Sequence, residues 1–572
     1  MRKKNLNQSL SKRLSFIYKE KFNEGLISEI FDLLDKYPFP TLKEKTSKWS
    51  EKDIILITYG DSIVQNKQKP LHTLNLFLKT YLNKAISTIH ILPFFPYSSD
   101  DGFSVIDYYK INPDLGNWSD IEKIGIDNKL MFDLVINHIS AKSDWFKKFL
   151  DNKSPEKNYF IVEDAEKDLS MVTRPRNSPL LTPFNTASGK KYVWTTFSAD
   201  QIDLNFSSQK LFLTMLDVLL FYISKGAKII RLDAIAFLWK EVGTTCLHLP
   251  ETHEITKVFR DIFDYIDPEL VLLTETNVPN KENLSYFGDG DEANMVYQFS
   301  LPPLLLYSLF SGNAFYFNKW AAALPEPDKE CTFFNFTASH DGIGVRPLEG
   351  LIPENKKEKL YTSITDIGGK ISTKTNSDGS QSAYELNITY FDAMKKSLSG
   401  GEEWQQQRFI CSQTIMMAFK GIPAFYIHSL LATKNNYTGF NKTKRARTLN
   451  RKKWNYDEIT QKLSSNTHHK IVLNELIRRI KIRKQHPAFH PESKQHWLNI
   501  KDEFIAFKRE SDQEDILCIS NVTNSHQTLD LSSTNPAEDI LSEEKFGRGY
   551  IAISLKPYET IWLKAEHNSF FF

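Results

Sequence analysis

Short apolar runs alternate with amphipathic stretches along most of this chain, and the alternation predicts the elements. Near the N-terminus Ile27, Ile30, Phe31 and Leu34 share one helical face, and this helical segment, residues 1 to about 50, meets a turn signal at Tyr37–Pro40. Asp53–Thr58 predicts a buried strand, Leu74–Tyr81 a helix, and Ile86–Leu92 the next strand, which runs into a loop at Pro93–Gly102. Strand and helix patterns keep alternating past Pro423, the signature of βα units around a parallel sheet. The expected fold is α/β: a (β/α)8 TIM barrel with two inserted subdomains and a C-terminal β-sandwich. Between about 140 and 200 the periodicity fails and Pro, Asn, Thr and Ser accumulate, which predicts an irregular subdomain between two barrel strands. A second polar insert is expected from about 345 to 460, including the soft stretch Lys370–Ser382. After about 495, short alternating strands at Glu503–Lys508, Asp515–Asn521, Tyr550–Leu555 and Thr560–Lys564 predict an all-β domain over 495–572, leaving 51–494 for the barrel. No internal repeat is evident.

Four of the apolar runs end in polar or ionisable groups: Leu130–His138 (LMFDLVINH), Gly226–Ala234 (GAKIIRLDA), Val271–Asn277 (VLLTETN) and Phe336–Gly342 (FTASHDG). A charge closing an apolar strand is costly unless it emerges at the strand's end, and in a parallel barrel that end builds the active site. The segments deliver Asp133, His138, Arg231, Asp233, Glu275, His340 and Asp341 to one rim. Arg231 and Asp233 lie two residues apart, on the same face of a strand, so the arginine can hold the carboxylate ionised as a nucleophile requires. Glu275 suits a general acid if burial raises its pKa, and His340-Asp341 offers a donor and an acceptor for vicinal hydroxyls. Each segment alone fits a structural ion pair or a turn better than a catalytic role. The set of four points to glycosidic-bond chemistry.

Length changes the picture first: 572 residues exceed one hydrophobic core, hence a large catalytic domain with additions. A net charge of +2 gives no electrostatic reason for a nucleic-acid or membrane partner. Aromatic content of 13% is high and suits both a barrel core and sugar platforms. Cys246, Cys331, Cys411 and Cys518 are scattered, without metal-ligand spacing, and predict buried free thiols in a reducing compartment. The basic N-terminus leads into no apolar leader segment and no run is long enough to span a bilayer, so the cytoplasm is the expected location.

On these motifs the chain resembles the α-amylase family of retaining glycoside hydrolases and transglycosylases, whose four signature segments the four runs match in order and spacing. The resemblance implies Asp233 as nucleophile, Glu275 as general acid/base and Asp341 as transition-state stabiliser, with Arg231, His138 and His340 lining the sugar site. It narrows to the sucrose phosphorylase branch through Asp100-Asp-Gly-Phe103, Phe197-Ser-Ala-Asp-Gln201, Leu449-Asn-Arg451 and Tyr297–Pro303. There Asp100 is expected to grip a distal hydroxyl, Phe103 to form an apolar wall, Phe197 and Gln201 to flank the glucosyl unit, and Arg451 to close the pocket. Ser98–Phe103, Trp239–Pro250, Thr274–Pro279 and the long N-terminal segment look like the glucosylglycerate phosphorylase subgroup, and Phe237 and Gln298 depart from the sucrose enzymes.

That resemblance implies a glycoside phosphorylase whose partners are a small sugar substrate and inorganic phosphate, acting as monomer or homodimer. An acceptor anion needs arginines; Arg174, Arg176, Arg346, Arg445 and Arg447 are the candidates for phosphate or a glycerate carboxylate. No cofactor is expected, and no metal, although some amylases bind calcium near the position of Asn137. The alternatives are a sucrose or sucrose 6'-phosphate phosphorylase, a hydrolase or transglycosylase on the same site, and a non-catalytic member such as the transporter heavy chains. The last lack the carboxylates that are intact here.

Overall fold

The computed structural model describes residues 2–39, 47–176, 178–375 and 380–571; Pro40 of the N-terminal turn signal, Asn177 of the first insert and 376–379 of the soft stretch lie outside the described residues. Eight parallel strands close into a barrel: β1 (Ile55–Thr58), β2 (Thr88–Ile91), β3 (Lys129–Val135), β4 (Ala227–Asp233), β5 (Val271–Thr274), β6 (Met295–Tyr297), β7 (Thr332–Phe336) and β8 (Ile422–Tyr426). Each pairs with the next in chain order, and β8 returns to β1 with Ile55 opposite Ala424. Strands such as Ile55-Leu-Ile-Thr58 are apolar on both faces because side chains fill the barrel and helices cover the outside.

In α1 (Arg2–Tyr18), Leu6, Leu10, Leu14 and Ile17 form a buried stripe at helical spacing. The helix packs on Pro250–Ile266, where Arg13 bonds Asp261 at 2.7 Å and Glu254 at 3.1 Å. In α2 (Gly25–Lys36), Ile27, Ile30, Phe31 and Leu34 are buried as their spacing predicts.

Three stretches differ from expectation. The insert between β3 and β4 is not irregular throughout: Val162–Glu163, Leu181–Thr186 and Gly189–Trp194 form an antiparallel sheet. Pro183 sits in its edge strand, the one place a sheet tolerates proline, and masks the strand in the sequence. The soft stretch contains the strand Lys370–Thr375, which pairs with Gln381–Asn387; its alternating residues are polar on both faces and carry no amphipathic signal. The range expected for the second insert also contains β8 and the helix Gln405–Ala418, so polar segments precede and follow β8 instead of forming one block.

The C-terminal sheets, of six and three strands, enclose their own core of Phe504, Leu517, Ile519, Leu531, Ile553 and Leu563. The four expected strands are present within a residue or two; Lys494–Trp497, Gln527–Ser533, Ala537–Asp539, Glu544–Phe546 and Phe570–Phe571 are additional. All four cysteines are buried and unpaired. Among the described residues no helix is long and apolar enough to cross a membrane.

Candidate active site

Barrel register assembles the centre. In β4 Arg231 lies directly opposite Asp133 of β3, and Asp233 ends the strand two residues on, on the same face. Ala234 then turns into the left-handed region (φ 49°), which stops the strand and leaves Asp233 at the rim. Glu275 follows the last residue of β5; its amide donates to Leu232 O at 3.2 Å, and its Oε2 accepts from Ala234 N at 3.0 Å. One buried guanidinium joins these groups: Arg231 Nη1 bonds Asp133 and, at 2.9 Å, Asp233 Oδ1, while Nη2 lies 3.6 Å from Glu275 Oε2. Tyr297 Oη accepts from Arg231 Nε at 3.1 Å, and His90 Nε2 meets Asp133 Oδ2 at 2.7 Å.

The electrostatics separate three carboxylates. Burial pushes both Asp233 and Glu275 up to about 7, against the pull of Arg231, and each raises the other's cost of ionising. Near neutrality the two share one proton. Because Arg231 bonds Asp233 more closely than Glu275, the charge rests on Asp233 and the proton on Glu275. Burial would also raise Asp341, but the guanidinium groups of Arg447, Arg451 and Arg231 outweigh it and hold this carboxyl well below the usual range. Burial lowers His138 and His340, so both are neutral hydrogen-bonding rings.

The pocket has about 70 Å³ of free space and draws its walls from five of the barrel's loops and both inserts. Asp100, Phe103, His138, Phe197, Gln201, His340 and Asp341 all line it. Phe103 and His340 stack at 4.7 Å with rings 4° apart, making one flat wall. His138 Nε2 meets Phe103 O at 2.8 Å and Gln201 Nε2 at 3.1 Å; Gln201 arrives there because Gln201–Asp203 pairs with His138–Ser140. Phe197 packs on His138 at 5.2 Å and on Phe237 at 5.4 Å. Arg451 donates to His340 O at 2.7 Å and pairs with Asp101.

Of the five acceptor arginines, Arg176 and Arg447 line the pocket; Arg174, Arg346 and Arg445 are not among its lining residues, and Arg445 is exposed. Arg447 bonds Asp341 at 2.6 Å and grips Glu385 through two nitrogens. Arg176 lies over the ring of Tyr384 at 5.4 Å, and no carboxylate among the described residues pairs with it. Tyr384 and Glu385 were not marked by sequence reasoning, since the apolar alternation of their strand is only two residues deep, Tyr384 and Leu386, inside a polar stretch; Asn277 lies within a recognised segment but was given no role.

Asn137 does not face the pocket. Its Oδ1 accepts from Lys240 Nζ at 2.6 Å, and the same ammonium pairs with buried Asp203 at 2.6 Å. The amide oxygen a calcium ion would use is thus taken by a cation of the chain itself. Lys240→Met should lower the unfolding midpoint, because Asp203 would be left buried and unpaired, a loss of about 3–5 kcal/mol. An unchanged midpoint in thermal melts would show that Asp203 does not depend on the ammonium.

Fold and site together define a (β/α)8-barrel enzyme of glycoside chemistry. The family described as "Alpha amylase, catalytic domain" matches residues 79–341. Over 98% of its length the chain is 42% identical to the whole of the glucosylglycerate phosphorylase of Escherichia coli K12. It is 40% identical to that of Spirochaeta thermophila, covering 96% of this chain and 97% of that one. The crystal structure of sucrose 6F-phosphate phosphorylase from Thermoanaerobacter thermosaccharolyticum superposes with a TM-score of 0.73 at 26% identity, over 84% of this chain and 96% of that one. The chain belongs to the α-amylase family and, within it, to the glycoside phosphorylases.

Proposed function

We propose that this protein is a retaining glycoside phosphorylase that cleaves 2-O-α-glucosylglycerate with inorganic phosphate, giving α-glucose 1-phosphate and glycerate. The similarity to glucosylglycerate phosphorylases supports the donor. The observation that carries the acceptor side is Arg176, a guanidinium on the pocket wall that no internal carboxylate claims. Asp233 attacks the anomeric carbon and breaks its bond to the glycerate oxygen, while Glu275 delivers the shared proton to that oxygen. A β-glucosyl ester on Asp233 results. Phosphate then attacks the same carbon from the vacated side, Glu275 takes up a proton, and Asp233 is released. Asp341, ionised at every working pH, stabilises the positive charge that builds on the ring. Such an enzyme acts in the cytoplasm, where its four buried thiols stay reduced.

The test runs the reaction backwards. With glucose 1-phosphate, D-glycerate should release phosphate much faster than fructose or water does. Arg176→Gln should weaken D-glycerate and phosphate by on the order of tenfold to a hundredfold, the loss of one charge-assisted contact, and hydrolysis by less. Faster release with fructose would place the protein with the sucrose phosphorylases; faster release with water would make it a hydrolase.

A further inference from the structure

The loop that carries Asp100 and Phe103 is a hairpin without a strand ladder. Tyr97 bridges Val105, and Ser98 N donates to Ser104 O at 3.1 Å, which closes its base. The tip is strained: Asp100 (φ 52°), Asp101 (φ 50°) and Gly102 (φ 116°) follow one another in the left-handed region, which the side chains of the first two disfavour. Such a tip persists only where its surroundings over-determine it.

Those surroundings converge on a single oxygen. Oδ2 of Asp200, in the first insert, accepts from Ser98 Oγ at 2.6 Å, from Ser104 Oγ at 2.8 Å and from Ser99 Oγ. Each serine has one hydroxyl proton to give, and Ser98 spends its own on this carboxylate. The Ser98 oxygen is left to accept, and Ser140 Oγ, 2.5 Å away, supplies that proton. The backbone repeats the junction, since Asp200 O accepts from Ala141 N at 3.0 Å. Ser104 and Ser140 are fully buried and Asp200 is half-buried. No lysine, arginine or histidine among the described residues pairs with Asp200, so within the protein hydroxyls alone offset its charge.

The cluster stands beside the sugar-facing residues. Ser99 precedes Asp100, Ser104 follows Phe103, and Gln201 follows Asp200. Ser140 lies opposite Gln201 in the strand that His138 begins. Gln201 Nε2 then donates to Phe103 O at 3.2 Å and lies 3.5 Å from Asp100 Oδ2. Asp233 and Glu275, at the ends of β4 and β5, take no part in this network. A change at Asp200 therefore reaches the sugar-binding wall and leaves the reacting carboxylates where they are.

We propose that Asp200 is a positioning residue that fixes Asp100 for the sugar by tying its loop to the insert that carries Gln201, an assignment that rests on the glucosyl unit occupying this pocket. The test is a double-mutant cycle read as kcat/KM for fluoride release from α-glucosyl fluoride, with inorganic phosphate as acceptor. Asp200→Asn keeps the shape and leaves no cation unpaired, so the protein should fold. Loss of the charge that three hydroxyls bond should lower kcat/KM by about tenfold to a hundredfold. In a variant that already carries Asp100→Gly, a change the left-handed backbone accepts, the same substitution should cost less than about threefold, because the group it positions is gone. The same shrinkage should appear with one of 4-deoxy- and 6-deoxy-α-glucosyl fluoride, namely the donor on which Asp100→Gly itself costs least. A purely structural role would lower the rate on every donor and in both backgrounds alike. Ser99→Ala removes one of the three hydroxyls and should give the same pattern at smaller size, which keeps the test open if Asp200→Asn does not fold. Losses that multiply in the double variant, or a folded Asp200→Asn within about threefold of wild type, overturn the positioning role. A wild type that releases no fluoride from α-glucosyl fluoride would instead overturn the glucosyl reading of the pocket.

Discussion

Asp233→Asn should leave a folded protein with less than about a thousandth of the wild-type turnover, a barrier raised by at least about 4 kcal/mol. An amide cannot form the glycosyl ester, and no other carboxylate stands in: Glu275 carries the shared proton, and Asp341 is committed to Arg447. Folding should survive, because Arg231 keeps its bond to Asp133 when Asp233 loses its charge. Stability should even rise above neutral pH. Asp233 and Glu275, both pushed up to about 7 by burial, make the folded protein hold between them a proton that the unfolded chain has already released, and the amide removes one of the two charges the pair must otherwise carry. Stability therefore falls as pH climbs from the unfolded value, about 4, through 7, and the neutral amide escapes that loss. Thermal melts at pH 5 and pH 8, beside turnover of glucose 1-phosphate with D-glycerate, check both halves. Turnover above about a hundredth of wild type would show that Asp233 is not the nucleophile.

The barrel and the catalytic carboxylates were legible in the sequence for a common reason. A charge such as Asp233 or Glu275 at the end of an apolar run has one low-cost location, a strand's C-terminal end, so the pattern fixes fold and site together. The sugar-facing residues Asp100, Phe103 and Gln201 came through resemblance, not periodicity, since loop residues obey no period. The acceptor side was the least legible. Glu385 and Tyr384 stand on a short strand with only Tyr384 and Leu386 on its apolar face, and the choice among five arginines depends on which are neutralised. Arg447 is bound to Asp341 and Glu385, separated from the latter by 62 positions, and Arg176 is not bound by any carboxylate among the described residues. Pairing across that distance leaves no mark in local sequence. For the same reason Lys240, which takes the place a calcium ion would claim beside Asn137, reads in the sequence as one more surface lysine.

Glu275→Gln should divide donors by their need for a proton. The glycerate oxygen leaves as an alkoxide unless protonated, so cleavage of the natural glucoside should fall by about 10²–10⁴, the usual worth of general acid catalysis. Fluoride leaves without that help, and the first burst of fluoride from α-glucosyl fluoride should survive largely intact. The pH dependence should divide in the same way. Wild-type cleavage of the glucoside should fall as pH rises through about 7, where burial no longer keeps the shared proton in place and Glu275 ionises. The variant has no proton to lose at this position, so its fluoride burst should not fall over that interval; ionisation of Asp233, itself pushed up to about 7, can only raise it. Burst amplitude and rate in rapid-quench measurements separate this first step from the acceptor's later attack, in which Glu275 acts as base. Equal impairment on both donors would mean that Glu275, whose Oε2 accepts from Ala234 N at 3.0 Å, serves to hold the left-handed turn after Asp233 and not to move a proton.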